Sequence, residues 1–129
     1  MARKKGLRPL VKDPLALLSA EWFAQEFGAD VVVIVRHPAA FVSSLVRLQW
    51  SHPFDDFLRQ DRLLEERLSS FAAEINEFAH RPREIIEQGI LLWRILYSVV
   101  GGYADAHPEW TFVRHEDVSA TPEHVFAAL

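Results

Sequence analysis

The sequence predicts an α/β fold, a parallel sheet with flanking helices in which helix outweighs strand. Three observations carry this. Val31 to Val35 is an unbroken β-branched run with no polar alternation, the pattern of a parallel-sheet strand buried on both faces. Trp110 to Arg114 is a second strand-like run, far along the chain. Between them apolar residues recur at three- and four-residue spacing, the helical period. Strands that alternate with helices build βαβ units, and such units make parallel sheets.

The elements follow in chain order. Leu10-Val11-Lys12 is a short strand candidate, residues 9 to 12 in all, ending at Asp13-Pro14. Ser19 caps a helix reaching about Phe27, where Gly28 supplies a C-terminal stop. The strand of residues 31 to 36 comes next, then a helix from Pro38 to about Gln49 and a loop broken by Pro53. Residues 55 to 79 read as one charged helix with Phe57, Leu64, Leu68, Phe71, Ile75 and Phe78 on one face. Pro82 interrupts it. A more apolar helix carries Ile85, Ile86, Gly89, Leu92, Trp93, Leu96, Val100 and Tyr103 at helical spacing; Gly101-Gly102 weakens its end. A third strand covers residues 110 to 115. Thr121-Pro122 is an N-cap followed by proline at the first helical position, and it opens a last helix. No repeats, low-complexity segments or linkers are present.

Bulk properties bound the function. A chain of 129 residues makes one domain with a real core, residues 1 to 129, and is too short for two ordinary ones. With 50% apolar and 25% charged residues its composition is that of a globular protein. Net charge is −4, from 14 basic and 18 acidic residues, so no general nucleic-acid or anionic-membrane surface is implied. Cysteine is absent, which excludes disulfides and thiolate metal sites. No uninterrupted apolar run has the length of a membrane span. The basic start, MARKKGLRPL, lacks the apolar stretch of a signal peptide. The default expectation is a cytoplasmic protein. The six histidines, at 37, 52, 80, 107, 115 and 124, show no metal-ligand spacing, and no metal is expected. His52, just past the helix of 38 to 49, is expected exposed in its loop rather than facing a cleft.

One junction carries chemistry. In open parallel sheets ligands bind at the carboxyl ends of strands. Arg36 stands at such an end, and the helix starting at Pro38 presents unpaired N–H groups and the positive end of its dipole there. A guanidinium beside a helix N-terminus makes an anion site, most naturally for phosphate. At about 100° per residue, Phe41, Val42, Leu45, Leu48 and Gln49 share one face. Ser44 lies on its flank and Ser43 points away. Arg36 and the Ser44 hydroxyl can thus hold one phosphate. The competing reading pairs Arg36 with an acid at the core edge and leaves Ser44 a small helical residue.

Arg36-His37-Pro38 with Ser44 eight residues after the arginine resembles the 3′-phosphate-binding motif of sulfotransferases that use 3′-phosphoadenosine 5′-phosphosulfate (PAPS). LVKDP, residues 10 to 14, is similar to the strand-end lysine segment that precedes this motif in many bacterial members. WTFVRHEDVSATPEHVFAAL, residues 110 to 129, resembles the family's later "Tyr-Glu-Asp" strand and following helix, and the Trp93/Tyr97 helix fits the same layout. The resemblance implies a helix-rich, partial P-loop NTPase-like domain in which Arg36 and Ser44 hold the donor's 3′-phosphate. It places His115 where a tyrosine often lies against the adenine. Lys12 would approach the acceptor or sulfate, and Asp13 is a base candidate, although an acid at that turn is more often a cap. Glu116 and Asp117 read as a structural acidic pair.

Two family features have no counterpart here. No Gly/Ser/Thr-rich loop with a lysine precedes residue 28, and no basic segment follows the last helix. The resemblance therefore implies the middle-to-late part of a domain, inactive by itself and inclined to self-associate through an open sheet edge. The partner expected is a small-molecule or carbohydrate acceptor bearing a hydroxyl or amine, with lipid and peptide acceptors equally open, no nucleic-acid partner and no membrane span. Two other readings stand beside it: another P-loop-related enzyme, kinase-like, and a non-catalytic α/β interaction module.

Overall fold

The structure is a computed structural model that describes residues 10–12, 16–81 and 83–128. The chain divides into two compact units, Met1–Asp30 and Val31–Leu129. Within the first, a 3₁₀ turn, Ala16–Ser19, leads into α1, Ala20–Phe27. Ser19 holds the N-cap position without a side-chain hydrogen bond, and Gly28 ends the helix at φ 58°, the left-handed turn that glycine tolerates without strain. Along α1, Trp22 meets Phe23 and Phe27 edge-on, and the two phenylalanine rings are tilted against each other. The strand expected at 9 to 12 does not form at residues 10 to 12. Leu10 and Val11 are 92% and 69% exposed there, and a strand without a hydrogen-bonded partner has nothing to hold it extended. Residue 9 lies outside the described residues.

The second unit holds the sheet. β1, Val32–Val35, pairs in parallel with β2, Thr111–Arg114, in the register Val32 to Thr111 through Val35 to Arg114. Among the described residues the sheet has two strands, not three. β1 has one covered face, not two: Val33 is buried, while Val32 and Ile34 are 45% and 58% exposed. Two short strands offer too little surface to seat helices on both sides. The result is a helix-rich mixed α/β fold with a small parallel sheet.

Helices α2, Pro38–Leu48, and α6, Ile85–Ala106, pack against each other. Gly89 of α6 makes the approach possible, because a Cβ there would lie 3.2 Å from Leu45 Cδ1 and 3.3 Å from Val42 Cγ2. The α6 N-terminus is closed by a reciprocal box between Glu84 and Glu87. Gly101-Gly102 does not end α6, because Val99, Val100 and Tyr103 are buried around it and fix the last turns. By length and composition alone α6 would suffice to cross a membrane. Here its stripe of Leu91, Leu92, Ile95 and Val99 lies in the core, and Arg94 on its outer side pairs with Glu74 at 2.6 Å.

The single helix expected over 55 to 79 is instead α3, Asp55–Leu58, then α4, Asp61–Glu66, a 3₁₀ turn, Ser69–Phe71, and α5, Ala72–His80. The breaks let the segment fold back so that Phe54 meets Phe78 with ring centroids 5.3 Å apart. A straight helix would hold those residues about 36 Å apart at ~1.5 Å per residue. After β2 come two short helices, α7, His115–Ala120, which the sequence reading assigned no helix, and α8, Pro122–Ala128. The Thr121 hydroxyl donates back to the Asp117 carbonyl at 3.3 Å rather than capping α8.

Candidate functional site: the β1–α2 junction

The chain leaves the sheet at Arg36 and enters α2 at Pro38. α6 holds this crossing from both sides of one residue. Trp93 Nε1 donates to the Arg36 carbonyl at 3.0 Å, and the Arg36 N–H donates to the Tyr97 hydroxyl. The two aromatic residues are one turn apart, so α6 geometry brings them together, and their rings stack at 4.3 Å and 16°. The Arg36 side chain is half-buried. Its Nε is shielded from solvent with no hydrogen-bond partner, and no carboxylate pairs with the guanidinium among the described residues. Among the described residues no acid at the core edge takes up Arg36, as the structural reading would require.

The first turn of α2 is partly satisfied from within. His37 is the N-cap, and its Nδ1 accepts from the Ala39 N–H at 3.2 Å. Pro38 has no N–H to satisfy. The His37 N–H donates to Glu116 Oε1 at 3.0 Å, tying the start of α7 to the start of α2. That bond from His37, more than any charge nearby, holds the Glu116 carboxyl below its ordinary value of 4.5. Glu116 thus has the structural role expected of it, and it brings a negative charge to a helix end that would otherwise attract an anion.

Ser44 is half-buried and Ser43 exposed, the sorting that the helical angle implies. Ser44 stands six residues beyond Pro38, about 9 Å along the α2 axis. Its hydroxyl has no hydrogen-bond partner among the described residues. A shallow open groove lined by Ala39, Val42, Ser43, Val46, Arg47 and Ile86 runs along the opposite flank of α2 and does not include Ser44. It is mostly apolar and touches the first turn of α2 only at Ala39.

The other candidates lie apart from this cluster. His115 is exposed as the first residue of α7, next to Glu116, and its ring makes no aromatic contact among the described residues. Lys12 is exposed and outside any strand, so it is not the strand-end lysine that the sequence reading made it. Asp13 lies outside the described residues. His52, expected exposed, is instead half-buried against Phe54 and Phe57, with ring centroids at 5.1 and 4.8 Å. Its backbone N–H donates to Gln88 Oε1 at 3.0 Å, and its Nε2 is shielded without a partner. Burial holds the imidazole below its ordinary value of 6.5, against the opposing pull of Asp56 and Asp55.

The sequence reading did not assign Trp93 and Tyr97 a role at the junction. The available signal was two aromatic residues with polar tips, one turn apart on an otherwise apolar helix, since a buried indole N–H or phenol seeks a partner. Comparison with protein-family models, with curated proteins and with solved structures finds no match for this chain.

Proposed function

We propose that this chain carries the 3′-phosphate half of a PAPS site and belongs to a sulfotransferase, in which Arg36 binds the donor phosphate and Ser44 adds a hydroxyl contact. One observation carries the reading. Just past the carboxyl end of β1, two residues before an 11-residue helix, stands an arginine whose Nε is shielded without a hydrogen-bond partner and whose guanidinium has no carboxylate partner among the described residues. His115 and Lys12 enter only through the resemblance, which leaves the acceptor open among carbohydrate, lipid, small alcohol and peptide. One observation favours a non-catalytic module: Glu116 already occupies the His37 N–H.

Calorimetric titration with 3′-phosphoadenosine 5′-phosphate (PAP) separates the two. Under the donor-site reading the chain binds PAP, and Arg36→Ala removes a charge-assisted contact worth about 1.5–3 kcal/mol. Ser44→Ala weakens binding less, and Ser43→Ala leaves it unchanged. Equal affinity of Arg36→Ala and the wild type rejects the assignment. Binding is expected without turnover, because the sequence has no Gly/Ser/Thr-rich loop with a lysine to neutralise charge where the sulfur–oxygen bond breaks. Loss of one such donor commonly lowers rate by about 10²–10³. Sulfate transfer from labelled PAPS to a broad acceptor mixture would contradict this.

A further inference from the structure

We propose that Trp93 and Tyr97 are positioning residues for Arg36, a two-point clamp that fixes the backbone of the anion-binding residue before any ligand arrives. The inference rests on the donor-site reading and adds to it the machinery that makes Arg36 effective.

Arg36 belongs to neither strand nor helix, so no sheet or helical ladder restrains it. Instead its N–H and its C=O are both engaged by side chains of α6, from residues 61 and 57 positions away. Both anchors sit on one helical turn and brace each other through their stacked rings. α6 is itself the buried core helix, with Leu92 and Ile95 at 4% and 0% exposure. A rigid element therefore sets the peptide planes on both sides of the Arg36 Cα, and with them the direction in which the side chain leaves the chain.

The clamp engages only the main chain. It leaves the guanidinium unspent, and no carboxylate among the described residues takes it up. A residue whose backbone is ordered in the free protein does not lose that freedom again when a ligand binds, and affinity rises accordingly. A purely structural tie between the β1–α2 crossing and α6 would need no such arrangement around one cation. The packing of α2 on α6, close enough that a Cβ at Gly89 would lie 3.2 Å from Leu45 Cδ1, already joins these helices.

Trp93→Phe and Tyr97→Phe each keep an aromatic ring and delete one polar tip. The expected result is PAP binding weaker by about threefold to tenfold for each, the value of one lost hydrogen bond. It is read by titration well below the melting temperature of each variant. Coupling is reciprocal, so saturating PAP should also slow hydrogen exchange of the Arg36 amide in the wild type. Lowered melting temperatures with wild-type PAP affinity would overturn the clamp and leave a structural tie. If the variants do not fold, wild-type exchange decides, and an Arg36 amide indifferent to bound PAP overturns it. Arg36→Ala keeps the two readings apart. If it abolishes binding while the clamp variants bind normally, only the clamp falls. If it binds as the wild type does, or the wild type binds no PAP, the donor site falls and the clamp with it.

Discussion

His52 is packed against Phe54 and Phe57 with no acceptor or donor for its Nε2, so protonation would put a charge among rings. Its folded-state value lies below 6.5, because desolvation outweighs the attraction of Asp56 and Asp55. The unfolded chain takes up the proton first as pH falls. This contribution to stability is therefore complete above about 6.5 and is lost as pH drops from there through the folded value. The melting temperature of the wild type should fall between pH 7.5 and pH 5.5 by more than that of His52→Phe. Parallel pH profiles for the two proteins would show that His52 has no such role. Legibility at this scale followed distance along the chain. The sorting of Ser43 from Ser44 needed only the helical angle over one turn, and it holds. The backbone partners of Arg36 lie 57 and 61 residues away and the acceptor of the His37 N–H lies 79 away, and no local pattern encodes which distant tip reaches a given peptide. His52 was read as exposed because a loop beside Pro53 looks open until Phe54 and Phe57 turn back over it.

Local punctuation and periodicity located α1, α2 and α6 to within a few residues: Ser19 and Gly28 bound α1, His37-Pro38 opens α2 ahead of its apolar stripe, and α6 follows Pro82 with an apolar stripe of its own. Periodicity failed for residues 55 to 80, where no proline or glycine marks the breaks. There the aromatic residues decide, since gathering Phe54, Phe57 and Phe78 requires the chain to double back. The same stripe is real, with Phe57, Leu68 and Ile75 all buried, but it is delivered by four short segments and the bends between them. Gly89 is the element-scale contact most open to test. Its place in an apolar stripe marks it as core, but only the distances to Leu45 and Val42 reveal that it sets how closely α2 and α6 approach. Gly89→Leu must push the two helices apart or force strained rotamers, an overpacking cost of about 1–3 kcal/mol. Chemical denaturation should show a lower midpoint with an unchanged slope. A midpoint equal to the wild type's would mean that the helix pair slides freely at this contact.

At the scale of the molecule the sheet is the exposed part of the design. The Thr111 N–H donates to the Val31 carbonyl at 3.1 Å, which sets the phase of the parallel ladder. Alternate residues of a strand bond to the same side, so Val31, Val33 and Val35 face β2 while the N–H and C=O groups of Val32 and Ile34 point to the other edge. No strand among the described residues meets them there. The side chains at those two positions are also 45% and 58% exposed. An edge made only of β-branched apolar residues lacks the charges, prolines and bulges by which proteins block strand addition. The sequence already showed the β-branched run, and it read correctly as strand. It read wrongly as buried on both faces, because burial depends on how many other strands and helices assemble around it, and of the three strands expected two form among the described residues. The consequence is concentration-dependent self-association through β1. Light scattering coupled to size exclusion, run across a wide concentration range, should show the apparent mass rising with concentration for the wild type. Ile34→Lys places a charge on the exposed face of the strand without disturbing Val33 on the covered one, and should return the chain to a monomer with little change in its thermal transition. A wild-type chain that stays monomeric throughout would mean that the β1 edge does not pair, and a lysine variant that associates as strongly would move the contact elsewhere.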